Sequence, residues 1–125
     1  MTIPDGRLRN GDTGHAVDVT VERSAGAMVL GVSGEIDQLT APLMKEAVLR
    51  ALAECPPLLV IDLRQVTFFA SAGLAILVEA DQRAADDMRI RVVAAGSATL
   101  LPLRATGLDQ PFEVYTTRGD ALRAG

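Results

Sequence analysis

The sequence is short of the residues from which most enzyme chemistry is built. It holds one cysteine, Cys55, and one histidine, His15. A lone cysteine closes no intrachain disulfide, and a zinc site would have to rest on carboxylates. The adjacent pair Asp86 and Asp87 reads as a solvated helix face, so no metal and no cofactor is expected. The phosphate-cradling pattern G-x-x-x-x-G-K-[ST] is missing as well. Tryptophan is absent, and three Phe and Tyr115 are the only aromatic rings, which leaves no platform for stacked bases. Positive charge is also scarce: eleven Arg and the single Lys45 are scattered along a chain of net charge −4. That leaves no basic footprint for a phosphate backbone, and direct nucleic-acid binding is not expected. The longest uncharged run lies between Arg64 and Glu79, short of the roughly 20 apolar residues of a membrane-spanning helix. Met1 to Gly14 lacks the apolar stretch of a signal peptide. The expectation is a cytoplasmic protein without membrane insertion.

Apolar residues make up 49% of the chain and charged ones 22%, the balance of an ordinary globular protein. Its 125 residues suit one core. Residues 1–13, rich in Gly, Pro and polar side chains, read as a flexible tail that adds nothing to the core, and residues 14–125 as one domain.

Val17, Val19 and Val21 alternate with polar residues, the period-2 signature of a strand with one face in a core. Ser24 to Gly26 turns the chain into a second strand over Met28 to Val32, giving a hairpin that ends near Gly34. From Thr40, as N-cap, the pairs Leu43/Met44, Ala47/Val48 and Ala51/Leu52 predict an amphipathic helix with Pro42 in its tolerant first turn. That helix ends near Cys55, before Pro56 and Pro57. Leu58 to Leu63 reads as a strand buried on both faces. A second helix begins near Ser71 with a core stripe of Leu74, Leu77, Val78, Ala84, Ala85 and Met88, interrupted by Asp81. Ile90 to Ala94 predicts a strand, and Ser97 to Thr106 a third helix closed by Gly107 and troubled by Pro102. Phe112 to Thr116 predicts the last strand and Asp120 to Arg123 a short terminal helix. The order β-β-α-β-α-β-α-β-α implies an α/β domain: a mixed, mostly parallel sheet of about five strands opened by a hairpin, with about four helices.

The segment Thr67-Phe-Phe-Ala-Ser-Ala-Gly-Leu-Ala75 places a serine where a buried strand meets a helix, a junction that often carries function. A hydrolase is the first reading to weigh, because a nucleophile elbow has this layout with the pattern G-x-S-x-G. Here Phe69 stands where the first glycine belongs. A serine nucleophile also needs a positioned base, and His15 lies at the edge of the tail while nothing aims Lys45 at Ser71. Catalysis is therefore not expected. By position and residue type alone, Ser71 reads either as a helix N-cap or as a functional side chain.

Two segments carry a family resemblance: Val60-Ile-Asp-Leu-Arg-Gln-Val-Thr-Phe-Phe-Ala-Ser-Ala-Gly-Leu74 and Val32-Ser-Gly-Glu-Ile-Asp-Gln-Leu-Thr-Ala-Pro42. Together they resemble the STAS domain of anti-sigma factor antagonists, over about residues 15 to 123. The resemblance implies a STAS-like fold and a protein that binds an anti-sigma factor, thereby freeing a sigma factor. In that family the serine after the strand is phosphorylated by the anti-sigma factor, which is also a serine kinase, and a serine phosphatase reverses the mark. Ser71 holds that position. The residue before it is usually Asp and the next often Ser, whereas this chain has Ala70 and Ala72. The alternative implied by the same resemblance is a non-switching STAS subunit of a signalling scaffold or transport complex.

The contact surface expected around Ser71 comprises Asp37, Ala70, Ala72, Gly73, Ile76 and Glu79. Asp37 belongs to the Gly34-Glu-Ile-Asp37 loop that resembles the family's first loop, and it reads equally as a residue that turns the chain into the first helix. Ala72, Ile76, Glu79 and Arg83 share a helix face away from the Leu74/Leu77/Val78 stripe. Ile76 on that face reads as an exposed apolar contact or as a lone surface residue. A phosphate on Ser71, adding about −1.5 to −2 charge, would disrupt packing there.

Overall fold

The computed structural model describes residues 8–9 and 17–124. Strands β1 (Leu8–Arg9), β2 (Asp18–Ser24) and β3 (Ala27–Ile36) are followed by α1 (Ala41–Ala53) and β4 (Leu58–Phe69). Helix α2 (Ser71–Arg83), β5 (Arg89–Val93), α3 (Ser97–Ala105), β6 (Glu113–Tyr115) and α4 (Arg118–Arg123) complete the chain. The strands lie side by side in chain order. Pairings from β1 to β3 are antiparallel and those from β3 to β6 parallel. Five longer strands thus form the expected mixed sheet, and Leu8–Arg9 adds a two-residue strand against β2. The rest of the segment read as a tail, with His15, lies outside the described residues.

The opening hairpin closes through Ala25 and Gly26, whose φ of 47° and 87° make both central residues left-handed. That is the turn whose twist matches two antiparallel strands, with Ser24 facing Ala27 across it. Beyond the turn β3 outruns its predicted end near Gly34. Register shifts at Gly31/Ser33 and Gly34/Glu35 let it keep pairing with β4 as far as Ile36 opposite Phe69. β4 is likewise twice the length of the apolar run that announced it.

One sheet face carries the main core, where Met44, Val48 and Leu52 of α1, Leu77 and Ala80 of α2 and Leu103 of α3 meet Leu30, Leu59, Ile61 and Val92. The other face holds a smaller cluster of Val29, Val60 and Val93 under Ala121 of α4. Helix α2 departs from the expected stripe. It ends at Arg83 and buries Gly73, Ile76, Leu77 and Ala80, while Val78 is exposed. The reason is that α2 packs against α1 as well as the sheet, which turns Ile76 inward. Ala84 and Ala85 follow the helix instead of extending it. Helix α3 starts at Ser97 and accommodates Pro102. Gly107, at φ 76°, closes it: the Gly107 amide donates to Arg104 and that of Leu108 to Leu103, the paired bonds of a Schellman ending. Cys55 is exposed and left-handed after α1.

Candidate functional site

The junction of β4 and α2 sits at the same sheet end as the β3–α1 loop, because β3 and β4 run parallel. The two are tied together. Ala70 donates its N–H to the Ile36 carbonyl at 2.9 Å, and its own carbonyl accepts from Gly73 and Leu74. Ala70 is therefore the N-cap of α2, in extended conformation and with no side-chain cap bond. This corrects the N-cap reading of Ser71, which is instead the first helical residue and exposed. Its hydroxyl is not spent on capping. Gly73, expected on the contact surface, is buried, and a Cβ there would stand 2.5 Å from Cε1 of Phe69. Its lack of a side chain lets the ring pack under the first turn.

Asp37 shapes the neighbouring loop. Its Oδ1 accepts the N–H groups of Leu39 at 2.9 Å and Thr40 at 3.0 Å, an Asx-type turn. Thr40 is the N-cap of α1 by position, but its side chain makes no cap bond. The hydroxyl donates to the Glu35 carbonyl at 2.6 Å and accepts the Asp37 N–H at 3.0 Å. With both polar side chains folded inward, Leu39 is pushed out and is 89% exposed. Phe68, paired in register with Glu35, is 52% exposed. Leu39 and Phe68 went unnoticed in the sequence, where one sits in a polar turn and the other beside a buried Phe69.

Ile76 is only 5% exposed, which corrects the exposure expected of it on that helix face. It floors a groove of about 470 Å³ between α1 and α2, walled by Pro42, Ala72 and Ala75 and ended by Lys45 and Glu79. Glu79 bridges the helices through Lys45 Nζ at 3.3 Å and holds Arg83 Nε at 2.8 Å on its own helix. The Lys45 hydrogen bond, with help from Arg83, outweighs burial and holds the Glu79 carboxyl below its usual range. The structure thus gathers Asp37, Ala70, Ser71 and Ala72 at one sheet end. Glu79 stands eight residues along α2, roughly 12 Å from Ser71 at 1.5 Å rise per residue.

Among the described residues no three His, Cys, Asp or Glu are grouped to hold a metal ion. No described helix is long and apolar enough to cross a membrane.

Comparison with known proteins agrees with this architecture. A family model described as Mlab, STAS domain, matches residues 19–117. The anti-sigma-F factor antagonist RsfB of Mycobacterium tuberculosis is 40% identical over 107 residues, which is 86% of this chain and 88% of that protein. The crystal structure of an anti-sigma factor antagonist from Mycobacterium paratuberculosis superposes with a TM-score of 0.82 at 39% identity, covering 98% of this chain and 96% of that one. Unphosphorylated SpoIIAA, at 14% identity, shares the fold with a TM-score of 0.70 over 83% of this chain and 92% of that one. With the family model spanning most of its length and close relatives along nearly all of it, the chain belongs to the STAS domain family of anti-sigma factor antagonists.

Proposed function

We propose that this protein is a cytoplasmic anti-sigma factor antagonist that acts by binding, not by catalysis, and is switched at Ser71. The unphosphorylated form holds an anti-sigma factor and so releases a sigma factor. The anti-sigma factor, acting as a serine kinase, phosphorylates Ser71, and a serine phosphatase restores it. The observation that carries this reading is the exposed, unspent hydroxyl of Ser71 at the first position of α2. Exposed Leu39 and Phe68 lie at the same sheet end, and RsfB is 40% identical. Apolar side chains at this density suit a surface covered by a partner. A dianion placed among them would be desolvated on binding, which disfavours the complex.

Incubation with the anti-sigma factor and ATP, followed by intact mass, tests the switch: one added phosphoryl group, absent in Ser71→Ala, is expected. Ser71→Ala should keep its affinity, and Ser71→Glu should bind at least tenfold more weakly, about 1.4 kcal/mol. Equal affinities for the two variants would overturn it. Ala70 and Ala72, where acidic and hydroxyl residues are usual, favour a second reading, a STAS subunit of a scaffold or transport complex with a silent serine. No binding to the anti-sigma factor together with no mass change at Ser71 would favour that reading.

A further inference from the structure

The groove between α1 and α2 is left open by the shortness of its walls. Ala41, Ala72 and Ala75 project single methyl groups and Pro42 a compact ring around the Ile76 floor, with Gln38 at one end and the Lys45–Glu79 pair at the other. At about 470 Å³, the space lies within the roughly 300–1,000 Å³ of clefts that bind side chains and small ligands.

Its outer end is charged. Lys45 and Arg83 both converge on the single carboxylate of Glu79. The nearest other acid on α1, Glu46, is taken by Arg50 at 3.0 Å. Lys45 and Arg83 thus share one carboxylate, on a chain whose net charge is −4. Positions 76, 79 and 83 follow one another at helical spacing, so the cations begin about one turn beyond the apolar floor.

We infer that this groove receives a segment of the anti-sigma factor bearing an apolar side chain over Ile76 and, one helical turn along, a carboxylate that pairs with Lys45 and Arg83. The inference rests on reading the chain as an anti-sigma factor antagonist and identifies how its partner is selected. Ser71 precedes Ala72 at the groove mouth, so one continuous surface joins the switch to this recognition site. A covered ion pair is screened by salt less than an exposed one, so its charge sign discriminates between partners. An anti-sigma factor with a basic residue at that place would be refused.

Titration calorimetry of the unphosphorylated protein with its anti-sigma factor tests this. Ala75→Leu fills the groove and Lys45→Glu/Arg83→Glu reverses its charge; each is expected to weaken binding at least tenfold. Lys45→Gln/Arg83→Gln, which keeps bulk and spares the fold from carboxylate repulsion, is expected to lose three- to fivefold and to flatten the salt dependence. Arg123→Glu, on the exposed side of α4, is the control and should bind as the wild type does. Thermal melts accompany each variant, and a groove variant counts only if its melting temperature matches the wild type; the Gln pair decides if the Glu pair unfolds. Wild-type affinity in the groove variants alongside a loss in Ser71→Glu would overturn the groove and leave the antagonist reading standing. No binding by the wild-type chain would overturn both.

Discussion

Helices α2 and α4 begin in opposite ways. At α4, Thr117 accepts the Asp120 N–H at 3.1 Å, and Asp120 sits in the first turn. Arg118 anchors the same turn by donating Nε to Asp62 at 2.6 Å and Nη1 to Glu22 at 3.0 Å. At α2 the cap is Ala70, with no side-chain bond and no acid in the first turn. A six-residue helix with one buried residue, Ala121, needs its ends held, because little apolar surface holds it down. Thirteen-residue α2 is held by Ile76, Leu77 and Ala80 instead, so its first turn is free to present a surface. Polar side chains are spent where a helix must be clamped and withheld where the helix start faces outward.

The comparison breaks most visibly at Asp62. This carboxylate is 3% exposed and receives both Arg64 and Arg118. Asp62→Ala leaves both cations without it and is expected to lose about 3 kcal/mol, the low end for a buried pair because the arginines reach solvent. Urea unfolding should show it, and a loss below about 1 kcal/mol would mean that α4 is held chiefly by Ala121 packing. Burial pushes the Asp62 carboxyl up, but hydrogen bonds from Arg64 and Arg118 outweigh it and set its pKa below the ordinary value. Its contribution is therefore complete above the unfolded value of about 3.9 and fades as pH falls through the lower folded value. Asp62→Asn should flatten that acid limb, and an unchanged limb would exclude Asp62 as its source.

The next effect belongs to α2. Gly73→Ala forces the Phe69 ring away from the first turn, at a cost of about 1–3 kcal/mol. A neutral result in thermal melts would show that the ring moves freely. Smaller still is the exchange of caps: Thr117→Ala should lose about 1 kcal/mol and Ala70→Ser gain a similar amount. Each is a shift of about 4 °C for a domain of this size. Opposite signs in differential scanning calorimetry sharpen the contrast between the helix starts, and equal signs remove it.

The smallest effect concerns the phosphate itself. On Ser71 it meets the free amides and positive end of α2, worth about 0.3–1 kcal/mol at an exposed site. Phosphorylated protein without partner should melt at the same temperature as the unmodified form or slightly above it. Asp at position 70 would add a like charge beside the phosphate, so Ala70→Asp should shrink the gain. A drop of several degrees on phosphorylation would place the switch in the fold and not in the interface.

Much of this was legible in the residues, and the misses share a cause. The hairpin, α1 and the Gly107 ending follow from local patterns, because alternation, capping and left-handed glycine act over a few residues. β4 was read only to Leu63, since its continuation through Arg64 and Gln65 depends on bulges opposite β3. The face of α2 was misjudged because an alanine-rich helix has small residues on every side, and α1 decides which way Ile76 points. Ser71 was found through the flanking motif, yet its place one residue inside the cap depends on the bond from Ala70 to Ile36. Leu39 is exposed because Asp37 and Thr40 bond within their loop, a competition among polar groups that residue types alone do not order.

The hydrogen bond between Ala70 and Ile36 also constrains any enzyme that would modify Ser71. One that gripped an extended peptide would have to unwind the first turn of α2, breaking that bond and uncovering Phe69 beneath Gly73. An enzyme that leaves the turn intact must read the folded surface, with the β3–α1 loop beside it. Such an enzyme would find its substrate surface only on a copy whose sheet end has assembled.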